Sequence, residues 1–176
     1  MLEDIIKERL KKRRPEHYPA RVERAYIIGD LVKDFAKLSK AKKRISVAGR
    51  VIGLRVQGGL MFLDVKDESG KIQAVIKKDI VSNFLDLKNT VDIGDFVEVG
   101  GSLFKTQRGE KTVQVEDWRM LAKSLRPLPE KWHGLQDVEE RFRKRYLDLI
   151  ASSEVKGRFV LRSRLISEMR KLFDKE

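Results

Sequence analysis

The chain has 176 residues, 38% charged, 41% hydrophobic and 7% aromatic, with a formal net charge of +12. It has no cysteine and two histidines, His17 and His133. That excludes a disulfide scaffold, a thiolate metal site and a cysteine nucleophile, and argues against a zinc site or a Ser-His-Asp triad. No run of about 18 apolar residues occurs, and the first residues lack the continuous apolar core of a signal peptide, so a cytoplasmic protein without a membrane segment is expected.

The charge is unevenly spread. Residues 1–50 carry 15 basic and 7 acidic side chains, residues 51–125 carry 11 of each, and residues 126–176 carry 13 and 9. A neutral middle between basic ends suits a recognition module with electrostatic arms, and the excess points to a polyanion such as nucleic acid.

In chain order, residues 2–14 read as an amphipathic helix with Leu2, Ile5, Ile6 and Leu10 on one stripe. It leads into Lys11-Lys12-Arg13-Arg14, and Pro15 should stop it. Those cations suit either docking to the rest of the protein or phosphate contact. A second helix is predicted over 29–38, with Leu31, Val32, Phe35 and Leu38 on one side.

From residue 45 the pattern becomes β-rich. Strands are predicted over 45–55, 60–66, 71–77, 95–104 and 111–121. Turns are expected at Asp67-Glu-Ser-Gly70 and Thr106-Gln-Arg-Gly109. A short helix over 79–87, capped by Asp79, separates the third strand from the fourth. Three strands, a helix and two strands is the order of an OB-fold, a five-stranded β-barrel. Leu125-Arg-Pro-Leu-Pro129 reads as a stiff connector, and helices follow over 137–150, with Asp137 as cap, and over 154–173.

Alternation then sorts the faces. Met61, Leu63 and Val65 point inward on the second strand, as do Ile72, Ala74 and Ile76 on the third. Phe62 and Asp64, with Gln73, Val75 and Lys77, should face out. If the turn sets Lys66 opposite Lys71, Asp64 pairs with Gln73 and Phe62 becomes its diagonal neighbour. An outward ring beside a carboxamide can stack on an unpaired base and hydrogen-bond its edge. The same ring could instead pack under a loop. Arg55, near the end of the first strand, is a candidate phosphate or base contact.

The motifs now resemble a known family. Leu-Pro-x-Lys-x-His-Gly-Leu at 128–135 and Arg-Tyr-Leu-Asp-Leu at 145–149 resemble the segment that joins the anticodon-binding and catalytic domains of class II lysyl-tRNA synthetases. The second stretch is shared with aspartyl enzymes. Val47-Ala-Gly-Arg50, Phe62, Gly70-Lys-Ile-Gln73 and Phe104-Lys-Thr-x-x-Gly-Glu110 resemble the family's barrel.

The resemblance implies an N-terminal helical basic extension over 1–43, an OB-fold anticodon-binding domain over 44–124, a linker over 125–136, and the start of a class II catalytic domain over 137–176, truncated in motif 1. It implies that Phe62 stacks on the central uridine of the lysine anticodon, that Gln73 hydrogen-bonds it, and that Glu110 and Arg55 line the same site. Leu54 departs from the two adjacent basic residues often found there. The implied partner is the anticodon stem-loop of lysine tRNA. The implied parent is a homodimeric lysine–tRNA ligase that uses ATP and Mg2+, whose binding motifs are not among these residues. No cofactor and no catalytic residue are expected in the fragment itself. The competing readings are a general single-strand-binding OB protein, an aspartyl- or asparaginyl-type synthetase fragment, and a structural protein with basic docking arms.

Overall fold

The computed structural model describes residues 2–14, 18–129 and 135–175. Pro15 and His17, and His133 with most of the 128–135 motif, lie outside the described residues. The chain divides into two compact units, Met1–Pro127 and Leu128–Glu176.

In the first unit, α1 (Leu2–Lys11), α2 (Ile28–Lys33) and α3 (Phe35–Lys40) precede five strands. These are β1 (Ile45–Gln57), β2 (Leu60–Lys66), β3 (Lys71–Lys77), β4 (Phe96–Lys105) and β5 (Lys111–Ala122), with α4 (Phe84–Thr90) between β3 and β4. The strands close in the order β1-β2-β3-β5-β4, and β4 returns to pair with β1. This is the five-stranded OB architecture expected from the element order.

Closure depends on β1 serving two neighbours. Residues 45–50 pair with β4 and residues 50–57 pair with β2, with an irregularity between Val51 and Gly53. Such a bulge bends the strand and lets a sheet curl on itself. A second irregularity at Gly100/Gly101 bends β4 against β5. There a Cβ on Gly101 would fall 1.9 Å from the Gln114 carbonyl oxygen, so only glycine permits the approach.

The interior is filled by alternate residues. Val47, Val51, Met61, Leu63, Val65, Ala74, Ile76, Val97, Val99, Val113 and Val115 are fully buried. The helices plug the barrel with Ile28 and Leu31 from α2, Phe35 from α3, and Phe84 and Leu87 from α4.

In this unit two helices differ from expectation, and a third is held in a way the sequence left open. The segment expected as one helix over 29–38 breaks at Asp34 into α2 and α3, each delivering its own apolar residues to the core. The helix expected from Asp79 begins instead at Phe84, and no side chain caps it. The Lys77 carbonyl accepts from Ile80 N and Val81 N, so the chain first makes a turn that seats Val81 in the core. Asn83, just before the helix, uses its Oδ1 to accept from Trp118 Nε1 at 2.9 Å. Finally, the apolar stripe of α1 contributes no buried residue. Its cations hold it in place: Arg9 Nη1 donates to the Ser124 carbonyl at 2.8 Å, Lys12 pairs with Asp92 at 3.1 Å and Arg14 with Asp86 at 2.7 Å.

Two polar anchors secure these attachments. The β2–β3 turn caps α2, because Ile28 N donates to Asp67 Oδ2 at 2.9 Å and Gly29 N to Ser69 Oγ at 2.7 Å. Asp67 Oδ1 also accepts from Ser69 N, Ser69 Oγ and Gly70 N. Below β4, the fully buried Lys123 ammonium donates to the Thr90 carbonyl at 2.5 Å, to Asp95 Oδ2 at 2.7 Å and to Asp92.

In the second unit, Asp137 caps α5 (Val138–Arg143) as expected, accepting from Glu140 N at 2.9 Å. The helix expected over 137–150 is interrupted at Lys144, and α6 (Arg145–Ala151) follows. Asp148 is buried and held by Arg141 at 3.3 Å and Arg145 at 2.5 Å. The long α7 (Ser153–Phe173) is capped by Ser152. Within this unit its Leu161, Leu165 and Phe173 are exposed.

Burial alone would raise the pKa values of Asp67 and Asp92. Hydrogen bonds from Ser69 and the backbone at Ile28, Ser69 and Gly70, and from Lys123 and Lys12, outweigh it and hold both carboxyls below the ordinary aspartate value. A lowered folded pKa contributes stability that is present above about pH 4 and is lost as pH falls through the folded value. Urea unfolding at pH 7 and pH 3 should show this loss. Asp92→Asn should lower stability at pH 7 and flatten the acid limb, and an unchanged limb would contradict the role of the Lys123 cluster. Gly101→Ala should cost about 1–3 kcal/mol or more in the same assay, through overpacking against Gln114.

Candidate nucleic-acid interface

The outer face of β2 and β3 is built by the alternation that fills the interior. With Met61, Leu63 and Val65 committed inward, Phe62 and Asp64 must face outward. The register sets Lys66 opposite Lys71, Asp64 opposite Gln73 and Phe62 opposite Val75. Phe62 and Gln73 are therefore diagonal neighbours on one outer face, both half-buried.

Arg55 pairs directly with Phe62 across β1 and β2. Its guanidinium carbon lies 5.8 Å from the ring centroid, within the range of a cation–π contact. Leu54, where the resemblance suggested a second basic residue, pairs with the interior Leu63 and packs against the core. Position 54 thus faces inward, and Arg55 alone of the two can reach a ligand on this face.

Glu110 stands in the turn that leads into β5. The β4–β5 turn closes through Thr106: Thr106 N donates to the Glu110 carbonyl at 3.0 Å, Glu110 N donates to Thr106 Oγ1 at 3.0 Å, and Gly109 N donates to the Thr106 carbonyl at 2.9 Å. Gly109 has φ +86°, a left-handed conformation that favours glycine. The turn leaves the Glu110 side chain exposed at the start of β5. That strand runs parallel to β3, with Thr112 opposite Gln73 and Gln114 opposite Val75. Thr112 Oγ1 lies 3.1 Å from Gln73 Oε1 and 3.2 Å from the Glu110 carbonyl oxygen. Arg55, Phe62 and Gln73 therefore lie on adjoining strands of one continuous face, while Glu110 touches Thr112 beside Gln73 only through its backbone carbonyl.

Val75 departs from its expected exposure. Its register places it on the outer face, yet it is only 3% exposed. It stands on a central strand between the longer Phe62 and Gln114 and forms an apolar floor. Two further residues of this face were not recognised as such in the sequence. Thr112 is fully buried beside Gln73, and Phe104 lies opposite Thr112, half-buried, on β4. Both follow from alternation around the interior Leu103 and Val113, but their nearness to Gln73 depends on the β3–β5 pairing.

Chemically the face offers an aromatic ring, a carboxamide and a guanidinium, groups that are able to stack on an unpaired base, hydrogen-bond its edge and neutralise a phosphate. Among the described residues no group of acidic, histidine or cysteine side chains is placed to hold a metal ion, and no helix is long and apolar enough to cross a membrane.

Residues 45–121 match the family described as OB-fold nucleic acid binding domain, which defines the barrel as a member of that class. The relatives are more particular. The chain is 51% identical over 132 residues to a lysine–tRNA ligase of Aquifex aeolicus, covering 74% of this chain and 22% of that protein. It is 44% identical to that of Roseiflexus sp., covering 95% and 35%, and 40% identical to that of Carboxydothermus hydrogenoformans, covering 99% and 37%. The chain belongs to the lysyl-tRNA synthetase family and matches its N-terminal, OB-fold-bearing part. It spans about a fifth to two fifths of the length of these curated relatives.

Outward and inward positions on β2 should differ sharply in stability. Leu63→Ala should cost about 2–5 kcal/mol, whereas Phe62→Ala, one residue earlier on a half-exposed site, should cost about 1 kcal/mol. Urea unfolding of the two variants checks this, and equal costs would place the Phe62 ring in the core.

Proposed function

We propose that this chain recognises the anticodon of lysine tRNA as part of a lysine–tRNA ligase. The observation that carries the reading is the placement of Phe62 and Gln73 as diagonal neighbours on the outer face of β2 and β3, beside Arg55 and next to the turn that carries Glu110, whose backbone carbonyl Thr112 contacts. Phe62 stacks on the central uridine, Gln73 hydrogen-bonds its edge, Arg55 neutralises phosphate or contacts the base, and Glu110 reads a neighbouring position. The stem is drawn in by the cations of residues 1–50, although Arg9, Lys12 and Arg14 are already engaged with the barrel.

In this reading the parent activates lysine with ATP and transfers it to the 3′ end of the tRNA in the cytoplasm, and the barrel's part is selection. No residue of this chain is assigned to ATP or Mg2+. The resemblance assigns nucleotide chemistry to motifs that are not among these residues. The resemblance gives α7 to the dimer-forming element, and its exposed Leu161, Leu165 and Phe173 support a homodimeric parent.

Binding of an anticodon stem-loop with a central uridine, titrated across a salt series, tests the proposal. Phe62→Ala should weaken binding by about 1–3 kcal/mol without changing the salt slope, because stacking involves no counterion release. Equal affinity for any pyrimidine-rich strand would support a general single-strand binder instead, and a flat titration would remove the nucleic-acid role. The 176-residue chain should show no lysine-dependent ATP–pyrophosphate exchange, and measured turnover would refute the assignment of activation to the rest of the parent.

A further inference from the structure

We propose that Thr112 is a positioning residue that gives Gln73 its selectivity, by holding the carboxamide with its oxygen turned away from the bound base and its nitrogen toward it. The inference rests on the anticodon reading above. A carboxamide carries an acceptor at one end and two donors at the other. Left to rotate, it can offer the acceptor to the exocyclic amino group of cytosine or a donor to the corresponding carbonyl of uracil. Pinned, it can offer only one of these.

The neighbours of Gln73 decide which end is held. On the β5 side, Thr112 Oγ1 lies 3.1 Å from Gln73 Oε1. The Thr112 hydroxyl has one proton and two candidate acceptors, the second being the Glu110 carbonyl at 3.2 Å. Thr106 N already occupies one lone pair of that carbonyl at 3.0 Å, and the contact to Gln73 Oε1 is the shorter of the two, so the hydroxyl proton is assigned to Gln73. Thr112 itself is fully buried, with its side chain shut between β3 and β4, so water cannot readily take its place.

On the β2 side, Asp64 is the register partner of Gln73 but leans the other way. Its Oδ2 lies 2.7 Å from where a Cβ on Gly53 would stand, over β1. Glycine at 53 therefore makes room for the Asp64 carboxylate and keeps that strong acceptor from capturing the Gln73 amide. The Gln73 nitrogen is left to donate toward the outer face beside the Phe62 ring. A site built this way accepts a uracil carbonyl and rejects a cytosine amino group, because two donors would meet with no acceptor between them.

The experiment uses the 176-residue chain and two anticodon stem-loops that differ only in uridine or cytidine at the central position. The wild-type chain should prefer uridine. Thr112→Val should keep binding to the uridine loop within about threefold while the uridine-over-cytidine ratio falls by about threefold to tenfold, the effect of losing one neutral hydrogen bond that orients the amide. Thr112→Ser, which keeps the hydroxyl, should restore the ratio. A merely structural role would weaken both loops together and leave the ratio unmoved. Should valine not fold at this buried position, Thr112→Ala removes the hydroxyl without adding volume, and the same fall in ratio is required. A wild-type ratio in the folded hydroxyl-free variant overturns the proposal. Phe62→Ala on the same RNAs separates the two levels. If it weakens both loops while the Thr112 variants leave the ratio intact, only the positioning role fails. If it weakens neither, the face is not the binding site and both readings fall.

Discussion

The parallel pairing of β3 with β5 is the constraint on which the rest of this molecule depends. Every other neighbouring pair in the barrel is antiparallel, and the ring needs β3–β5 as much as it needs β1 to serve both β2 and β4. It closes the sheet around an interior of Val, Leu, Ile and Met side chains, and it sets Thr112 beside Gln73 across 39 residues of chain. A closed sheet has no free edges, so its outer surface can be committed to recognition without inviting another strand. The same closure turns a cluster of polar side chains into an ordered one, since Thr112 is held on both sides and can pass that order to Gln73.

Burial and charge divide the work between the two sides of the sheet. The interior residues contribute the transfer free energy that stabilises the domain. On the outer face Phe62 and Gln73 are half-exposed and Arg55 is exposed, over a buried floor of Val75 and Thr112. Attachments at the periphery are polar: the β2–β3 turn caps α2, and Lys123 gathers Asp92, Asp95 and the Thr90 carbonyl. Lys12 reaches the same Asp92 from α1, so the N-terminal helix is tied to the base of the barrel through a shared carboxylate. Part of the basic excess of residues 1–50 is thus internal adhesive, and the remainder is available to a polyanion.

Much of the fold was legible because strand periodicity is a local property. Inward Met61, Leu63 and Val65 could be told from outward Phe62 and Asp64 by alternation alone, and the four-residue turn at Asp67 then set the register with Gln73. Helix ends were less legible. Asp79 is a good cap by residue type, but the chain must first turn to seat Val81, and Asn83 is drawn off by Trp118. Asp34 interrupts a helix whose apolar spacing is continuous, because Leu31 and Phe35 enter the core from separate helices. In each case a tertiary demand overrode a local preference.

The sequence by itself determined that the Phe62 ring and the Gln73 amide could face a ligand beside the Arg55 cation, on a charge distribution suited to nucleic acid, and the family resemblance added Glu110. Only the tertiary structure decided that Val75 lies hidden on the outer face, that Leu54 turns inward, and that Thr112 holds the amide. The reason is that alternation is written within a strand and can be read residue by residue, whereas the pairing of strands distant in the chain is selected by the closure of the whole barrel.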